Sequence, residues 1–227
     1  MDPLATLPNP RAALRMIDAQ SQRPPSSGGC FHWIAGNPRH ESWQADSSRV
    51  AAESSDNDII LCWSGTFGAQ LFGGDIRNWT KAGAVALTEW LDESLPRLAA
   101  PATKRLLGII PNHTHLLSDV AGQMRLWQDR SSQGLATVLY PSGLIAPSML
   151  KDIDDHLIRS ISHLAPRCAL CILEDIAPCS EGSARADFHR VAWGRGILPH
   201  ARIESLLRQH LPVTTPIIVM TKPPFFA

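Results

Sequence analysis

The runs Leu135-Ala136-Thr137-Val138-Leu139-Tyr140 and Cys168-Ala169-Leu170-Cys171-Ile172-Leu173-Glu174-Asp175 flank the segment Ser148 to Leu164. Both runs are apolar on consecutive positions rather than alternating, as parallel strands covered on both faces require. Between them, Ile153, Leu157, Ile158, Ile161 and Leu164 recur at i, i+4, i+5, i+8 and i+11, a single stripe with Asp154, Asp155 and Arg159 off it. That segment reads as an amphipathic helix, and it stops at Ala165-Pro166 because the residue before a proline is disfavoured in helical geometry. Strand, helix and strand in this order form the unit of a parallel α/β sheet.

The same rhythm extends outward in both directions. Cys30 to Ala35 precedes a helical pattern over Ser42 to Ser54, Ile59 to Ser64 precedes Trp79 to Leu98, and Leu106 to Ile110 precedes Asp119 to Arg130. Downstream of Cys168 to Asp175 come a loop, the helix Ala201 to His210 and a last strand, Pro216 to Thr221. Units of about 30 residues fit either a doubly wound sheet or a (β/α) barrel. Six strands are recognisable, two short of a full TIM barrel. Residues 1–29 stand apart: a short helical pattern over Arg11 to Ala19, then a loop rich in Ser, Pro and Gly. Residues 30–227 read as one TIM-barrel-like domain, incomplete or atypical.

Composition narrows the function. The 227 residues carry 21 basic and 21 acidic side chains, with 44% hydrophobic and 19% charged residues, an ordinary globular balance. A chain of this size buries roughly 70% of its unfolded surface, so it folds without disulfide or metal staples. Zero net charge offers no footprint for nucleic acid or an anionic membrane. No apolar stretch approaches a bilayer span, and Met1 to Arg15 lacks the apolar core of a signal peptide, so a cytoplasmic location is expected. Five cysteines without framework spacing suit a reducing compartment. Cys168 and Cys171, three apart on a strand, should point to opposite faces and be buried separately.

Four ordered strings carry a likeness. Gly108-Ile109-Ile110-Pro111-Asn112-His113 is followed by a helix opening at Ser118-Asp119; Ala136 to Tyr140 runs into Pro141-Ser142-Gly143; Cys168 to Ile176 contains Leu173-Glu174-Asp175; and Trp193-Gly194-Arg195-Gly196-Ile197 precedes the last helix and Ile217-Ile218-Val219-Met220. Together they resemble the xylose-isomerase-like TIM-barrel superfamily, the sugar phosphate isomerases and epimerases with the endonuclease IV-like fold. The resemblance covers Asp58 to Thr221 and implies aldose–ketose isomerisation or epimerisation of a small sugar or polyol. It also implies that the six strands are the family's third to eighth, leaving two open edges that the amino-terminal segment or a second copy in a homo-oligomer would cover.

Members of that family hold a divalent metal on Glu, Asp, His and Glu at four strand ends. The matching positions here carry Pro111, Tyr140, Ile172 and Met220. The resemblance therefore implies that the family metal site is degenerate. The alternative to an isomerase is a non-catalytic, barrel-derived binding or assembly protein, a pseudoenzyme on the same scaffold.

Candidate site residues lie after the strands, where barrels build their active sites. His113 and His115 could act as acid and base or as replacement metal ligands, with Glu174 and Asp175 as carboxylates. The plainer reading makes the two histidines loop polar groups, Asp119 with Ser118 a helix cap, and Glu174 a solvent-facing carboxylate. Asn112, Tyr140, Arg195, Trp63 and Arg39 are the candidate substrate contacts: the arginines for anionic or polar groups, Trp63 for stacking on a sugar ring. Trp63 reads equally as a core plug, and the glycines around Arg195 as a turn or a close backbone approach.

Overall fold

The fold is described from a computed structural model of the chain, for residues 16–18, 31–34, 37–99, 104–179 and 188–221. Strands β1 (Met16–Asp18), β2 (Phe31–Ile34), β3 (Ile59–Trp63), β4 (Leu106–Ile110), β5 (Leu135–Leu139) and β6 (Cys168–Leu173) share one sheet. The antiparallel hairpin β7 (Asp175–Pro178) and β8 (Phe188–Val191) then leaves it, and β9 (Ile217–Val219) returns. The sheet has seven strands in the order β1-β9-β6-β5-β4-β3-β2, all parallel. Helices α1 (Glu41–Glu53), α2 (Lys81–Leu98), α3 (Val120–Arg130), α4 (Ile153–Leu164) and α5 (His200–His210) lie between strands.

Burial on both faces of the sheet explains the unbroken apolar runs. One set of alternate residues, among them Ile60, Cys62, Leu107, Ile109 and Leu135, packs with Leu91, Leu95 and Leu98 of α2. A second such layer joins Leu139, Cys171 and Ile217 to Leu157, Ile161 and Leu164 of α4 and Ile203 and Leu207 of α5. The opposite set, Leu61, Trp63, Ile110, Val138, Tyr140, Leu170, Ile172 and Met220, forms a third cluster with Phe31, Trp33 and Ile218. This third cluster runs from β2 to β9 along the concave face of a curled sheet. The result is an incomplete TIM-barrel-like α/β fold whose interior is filled by side chains.

Three details differ from the sequence reading. Met16 to Asp18, assigned there to a helix, is a strand pairing parallel with β9; the rest of that helix lies outside the described residues. Three residues are too few for any periodicity to register, and the free edge of β9 decides their state. The barrel thus has one more strand than the sequence suggests. Second, the segment after Cys168 to Asp175 is a hairpin rather than a plain loop. Third, Cys168 and Cys171 belong to the same core layer. The pairing with β5 runs Thr137 to Cys168 but Val138 to Leu170, so Ala169 is an extra residue that inverts the alternation. Elsewhere the differences are small: α4 begins at Ile153, with residues Pro147–Asp152 in a 3-10 turn, and Ile158 is 36% exposed at the margin of its stripe. Among the described residues no helix is long and apolar enough to cross a membrane.

Gly108 shows how tightly the interior is filled. A Cβ there would stand 2.7 Å from a Leu61 methyl and 2.9 Å from a Val138 methyl, so the neighbouring strands pack across the space that glycine leaves. Gly108→Val should cost about 1–3 kcal/mol through overpacking. Urea unfolding of the variant against the parent measures it, with an earlier midpoint at an unchanged slope as the expected result.

Candidate functional site

At the carboxyl ends of the strands the interior turns polar over a short distance. Tyr140, directly after β5, and Glu174, directly after β6, continue the inward-facing sets of those strands and are 1% exposed each. The Tyr140 hydroxyl donates to Glu174 Oε2. Arg190, carried by β8, reaches back over the same point, with its Nη1 3.6 Å from Glu174 Oε2. Its guanidinium carbon lies 4.5 Å from the Trp63 ring centre, 4.2 Å from Phe72 and 5.4 Å from Tyr140. Trp63 and Phe72 meet edge to face at 5.1 Å, so the cation sits in the corner the two rings make.

His115 closes the group. It is fully buried, stacked on Phe72 at 5.4 Å and edge-on to Trp63 at 5.3 Å. Burial, helped by the Arg190 charge and by His113, pushes its pKa down to about 3, and the Leu71 backbone opposes this only in part. The ring is therefore neutral across the physiological range. Burial raises the Glu174 pKa above the ordinary carboxylate value, while Arg190 and the Tyr140 hydroxyl pull it back. Tyr140 is likewise raised, mainly by burial, and stays a phenol.

The other sequence candidates lie elsewhere. Asp175 is fully buried, but its carboxylate faces the loop after β8, accepting from the Ile176, Gly196 and Leu198 amides at 2.8, 2.8 and 3.1 Å. His200 Nε2, in the first turn of α5, stands 2.5 Å from the same carboxylate. Gly196 is needed there, because a Cβ would fall 2.4 Å from Asp175 Oδ1 and 2.2 Å from the Ile176 carbonyl. Arg195 is exposed on that loop. Arg39 is exposed too, 4.2 Å above Phe67, with Arg77 4.8 Å from the same ring. Asn112 spends its side chain on its own turn, accepting from the Thr114 amide and hydroxyl at 3.0 and 2.7 Å. The half-buried His113 donates its amide to Gly143 and accepts Trp79 Nε1 at its carbonyl. Asp119 caps α3, accepting from Gly122 at 2.7 Å.

Trp63, His115, Tyr140 and Glu174 thus converge, whereas Asp175, Arg195 and Arg39 occupy other parts of the rim. Arg190 and Phe72 were not legible as site residues. Arg190 lies in Phe188-His189-Arg190-Val191, where nothing marks a strand that folds back over a barrel mouth.

These residues do not fit the divalent metal of the resembled family. Among the described residues no three His, Cys, Asp or Glu side chains converge. Pro111, Ile172 and Met220 are buried without a donor suited to a hard cation. The one carboxylate of the interior group already accepts from Tyr140 and faces a guanidinium.

The chain has the xylose-isomerase-like TIM-barrel fold. It superimposes on a xylose isomerase domain protein from Planctomyces limnophilus with a TM-score of 0.51 at 11% identity, covering 78% of this chain and 58% of that one. A xylose isomerase-like TIM barrel protein from Mycobacterium smegmatis, solved in complex with magnesium, gives 0.50 at 10% identity over 78% of this chain and 60% of that one. The chain therefore spans about three fifths of the length of these two proteins. No protein-family model matches the sequence, and no curated protein matches it.

Neutral His115 makes stability depend on pH. Its pKa lies at about 3 in the fold against 6.5 for the free side chain, so the unfolded chain gains a proton first as pH falls. This contribution is complete above pH 6.5 and is lost toward pH 3. His115→Phe keeps a ring on Phe72 and Trp63 and removes the titration. The variant should lose less stability than the parent between about pH 6.5 and pH 4, read as urea midpoints at each pH.

Proposed function

We propose that this chain is a sugar isomerase/epimerase-type barrel that binds a small sugar-like molecule at its mouth without a resident divalent metal. The observation that carries this reading is the Arg190 guanidinium, 3.6 Å from Glu174, the carboxylate that would otherwise be free to hold a cation. A fixed organic cation supplies the positive charge there and repels a second one. The aromatic walls, Trp63, Phe72 and Tyr140, suit the apolar faces of a sugar ring or polyol. Elemental analysis tests the reading: after incubation with magnesium, manganese, cobalt or zinc and desalting, the protein should retain less than about 0.1 ion per chain, since the donor set for tight binding is missing. One ion per chain, lost in Glu174→Gln, would overturn it.

A second reading, isomerisation or epimerisation, is favoured by the raised pKa of Glu174 and its bond to Tyr140. A carboxyl poised above its ordinary range can carry a proton to and from a carbon next to a carbonyl, with Arg190 stabilising the oxyanion. Incubation of aldoses and ketoses with the protein in deuterium oxide should then exchange the α-hydrogen, and Glu174→Gln should abolish that exchange. Binding without exchange would leave the non-catalytic reading alone.

A further inference from the structure

The geometry points to a hydroxy-carboxylate, an aldonic-acid type of sugar acid, as the ligand of the barrel mouth, its carboxylate on Arg190 and a hydroxyl donating to Glu174. The inference rests on the metal-free reading of the mouth and names the ligand class for it. Two buried polar groups there have bonding capacity left. Arg190 Nη1 finds no hydrogen-bond partner among the described residues, and its 3.6 Å approach to Glu174 Oε2 is too long for one. Glu174 is 1% exposed, and its Oε1 has no partner among them either, Oε2 being taken by Tyr140.

An arginine donor and a carboxylate acceptor left open close together are costly where they are buried, and a ligand that answers both recovers that cost. The two openings have opposite needs. The guanidinium wants a planar oxyanion, which a carboxylate matches in its own plane, while Glu174 Oε1 wants an O–H. A molecule carrying an acid group and a hydroxyl a short distance apart meets both. A neutral polyol offers Arg190 Nη1 no charge-assisted hydrogen bond, and Glu174 at 3.6 Å is too far to supply one. A phosphate asks for several converging donors, and the described interior group has Arg190 as its cation. Trp63, Phe72 and Tyr140 complete the site with ring surface for the C–H face of such a chain.

Tyr140 is the one tyrosine in the sequence and bonds directly to Glu174, so a ζ-13C-tyrosine label gives a single resonance at the site. The full-length labelled chain is titrated with D-gluconate, with sorbitol and with sorbitol 6-phosphate, following that resonance and the melting temperature. Gluconate should shift both saturably and bind at least about tenfold more tightly than sorbitol, the discrimination expected of one charge-assisted pair. Arg190→Met should lose the gluconate response, and Arg190→Lys, which keeps the charge without the fork, should weaken it about tenfold. The ligand comparison on the unaltered chain stands even if Arg190→Met fails to fold. Equal binding of sorbitol and gluconate overturns the acid assignment while leaving a polyol site. Binding of the phosphate ester alone overturns it in favour of a phosphate, and no response to any of the three overturns it outright. Metal content is measured on the same preparation: a resident ion there overturns the metal-free reading itself, a failure distinct from the other three.

Discussion

A guanidinium held inside a barrel has to be compensated where it lies, and much of this site is the compensation. Arg190 is nearly buried, with 13% of its side chain exposed. Its charge is met by Glu174 across 3.6 Å and by the faces of Trp63 and Phe72. It also acts on its neighbours. Burial, with the Arg190 charge adding to it, keeps the neighbouring His115 a neutral ring. Conversely, Glu174 without Arg190 would have only the Tyr140 hydrogen bond to oppose burial, and would be shifted further from its ordinary value. The pair is therefore one electrostatic unit, and truncating either member strands the other.

That unit stands where relatives of this fold would build their chemistry, at the carboxyl ends of the strands. The strands beneath are ordinary: apolar on both faces, filled inside by Leu61, Val138, Leu170 and Ile172. Their last inward positions include Tyr140 and Met220. Tyr140 offers a phenol that burial keeps protonated, and Met220 a thioether; neither is a ligand for a hard cation. The likeness to solved barrels at 10 to 11% identity speaks for the arrangement of the backbone, and the side chains at its mouth have to be read for themselves.

How much of this was legible in the sequence follows from the range of the forces involved. The strands from Ile59 to Val219 and the helices between them rest on local apolar periodicity, which the sequence carries directly. Trp63, His115, Tyr140 and Glu174 could be singled out because each stands at or beyond the carboxyl end of a strand, and in a barrel that position alone brings residues together. Asp175 obeys the same rule but faces away, since Glu174 before it takes the inward position and alternation sends the next residue outward. The inverted alternation at Ala169 depends on how β6 pairs with β5, and β1 exists because β9 offers it an edge; neither is encoded nearby. Arg190 was hidden for the same reason: its role depends on a hairpin folding back onto residues some fifty positions earlier, at Tyr140, and more than a hundred earlier, at Trp63.

The hairpin's placement in turn rests on the residue that the rim does not use. Asp175 is the first residue of β7, and its carboxylate binds the Gly196 and Leu198 amides beyond β8, so one side chain ties the entry of the hairpin to its exit. His200 adds a third hold from the start of α5, and the Trp193 amide donates to the Met220 carbonyl at 2.9 Å, fastening the same exit to the end of β9. Gly196 permits this closeness and nothing larger does. Arg190 lies between the two clamped ends, fixed at a distance by groups that never touch it. Asp175 thus bonds the backbone on both sides of the hairpin without reaching the interior group. The two adjacent carboxylates face different ways: Glu174 meets the cation directly, and Asp175 joins the ends of the hairpin that carries it.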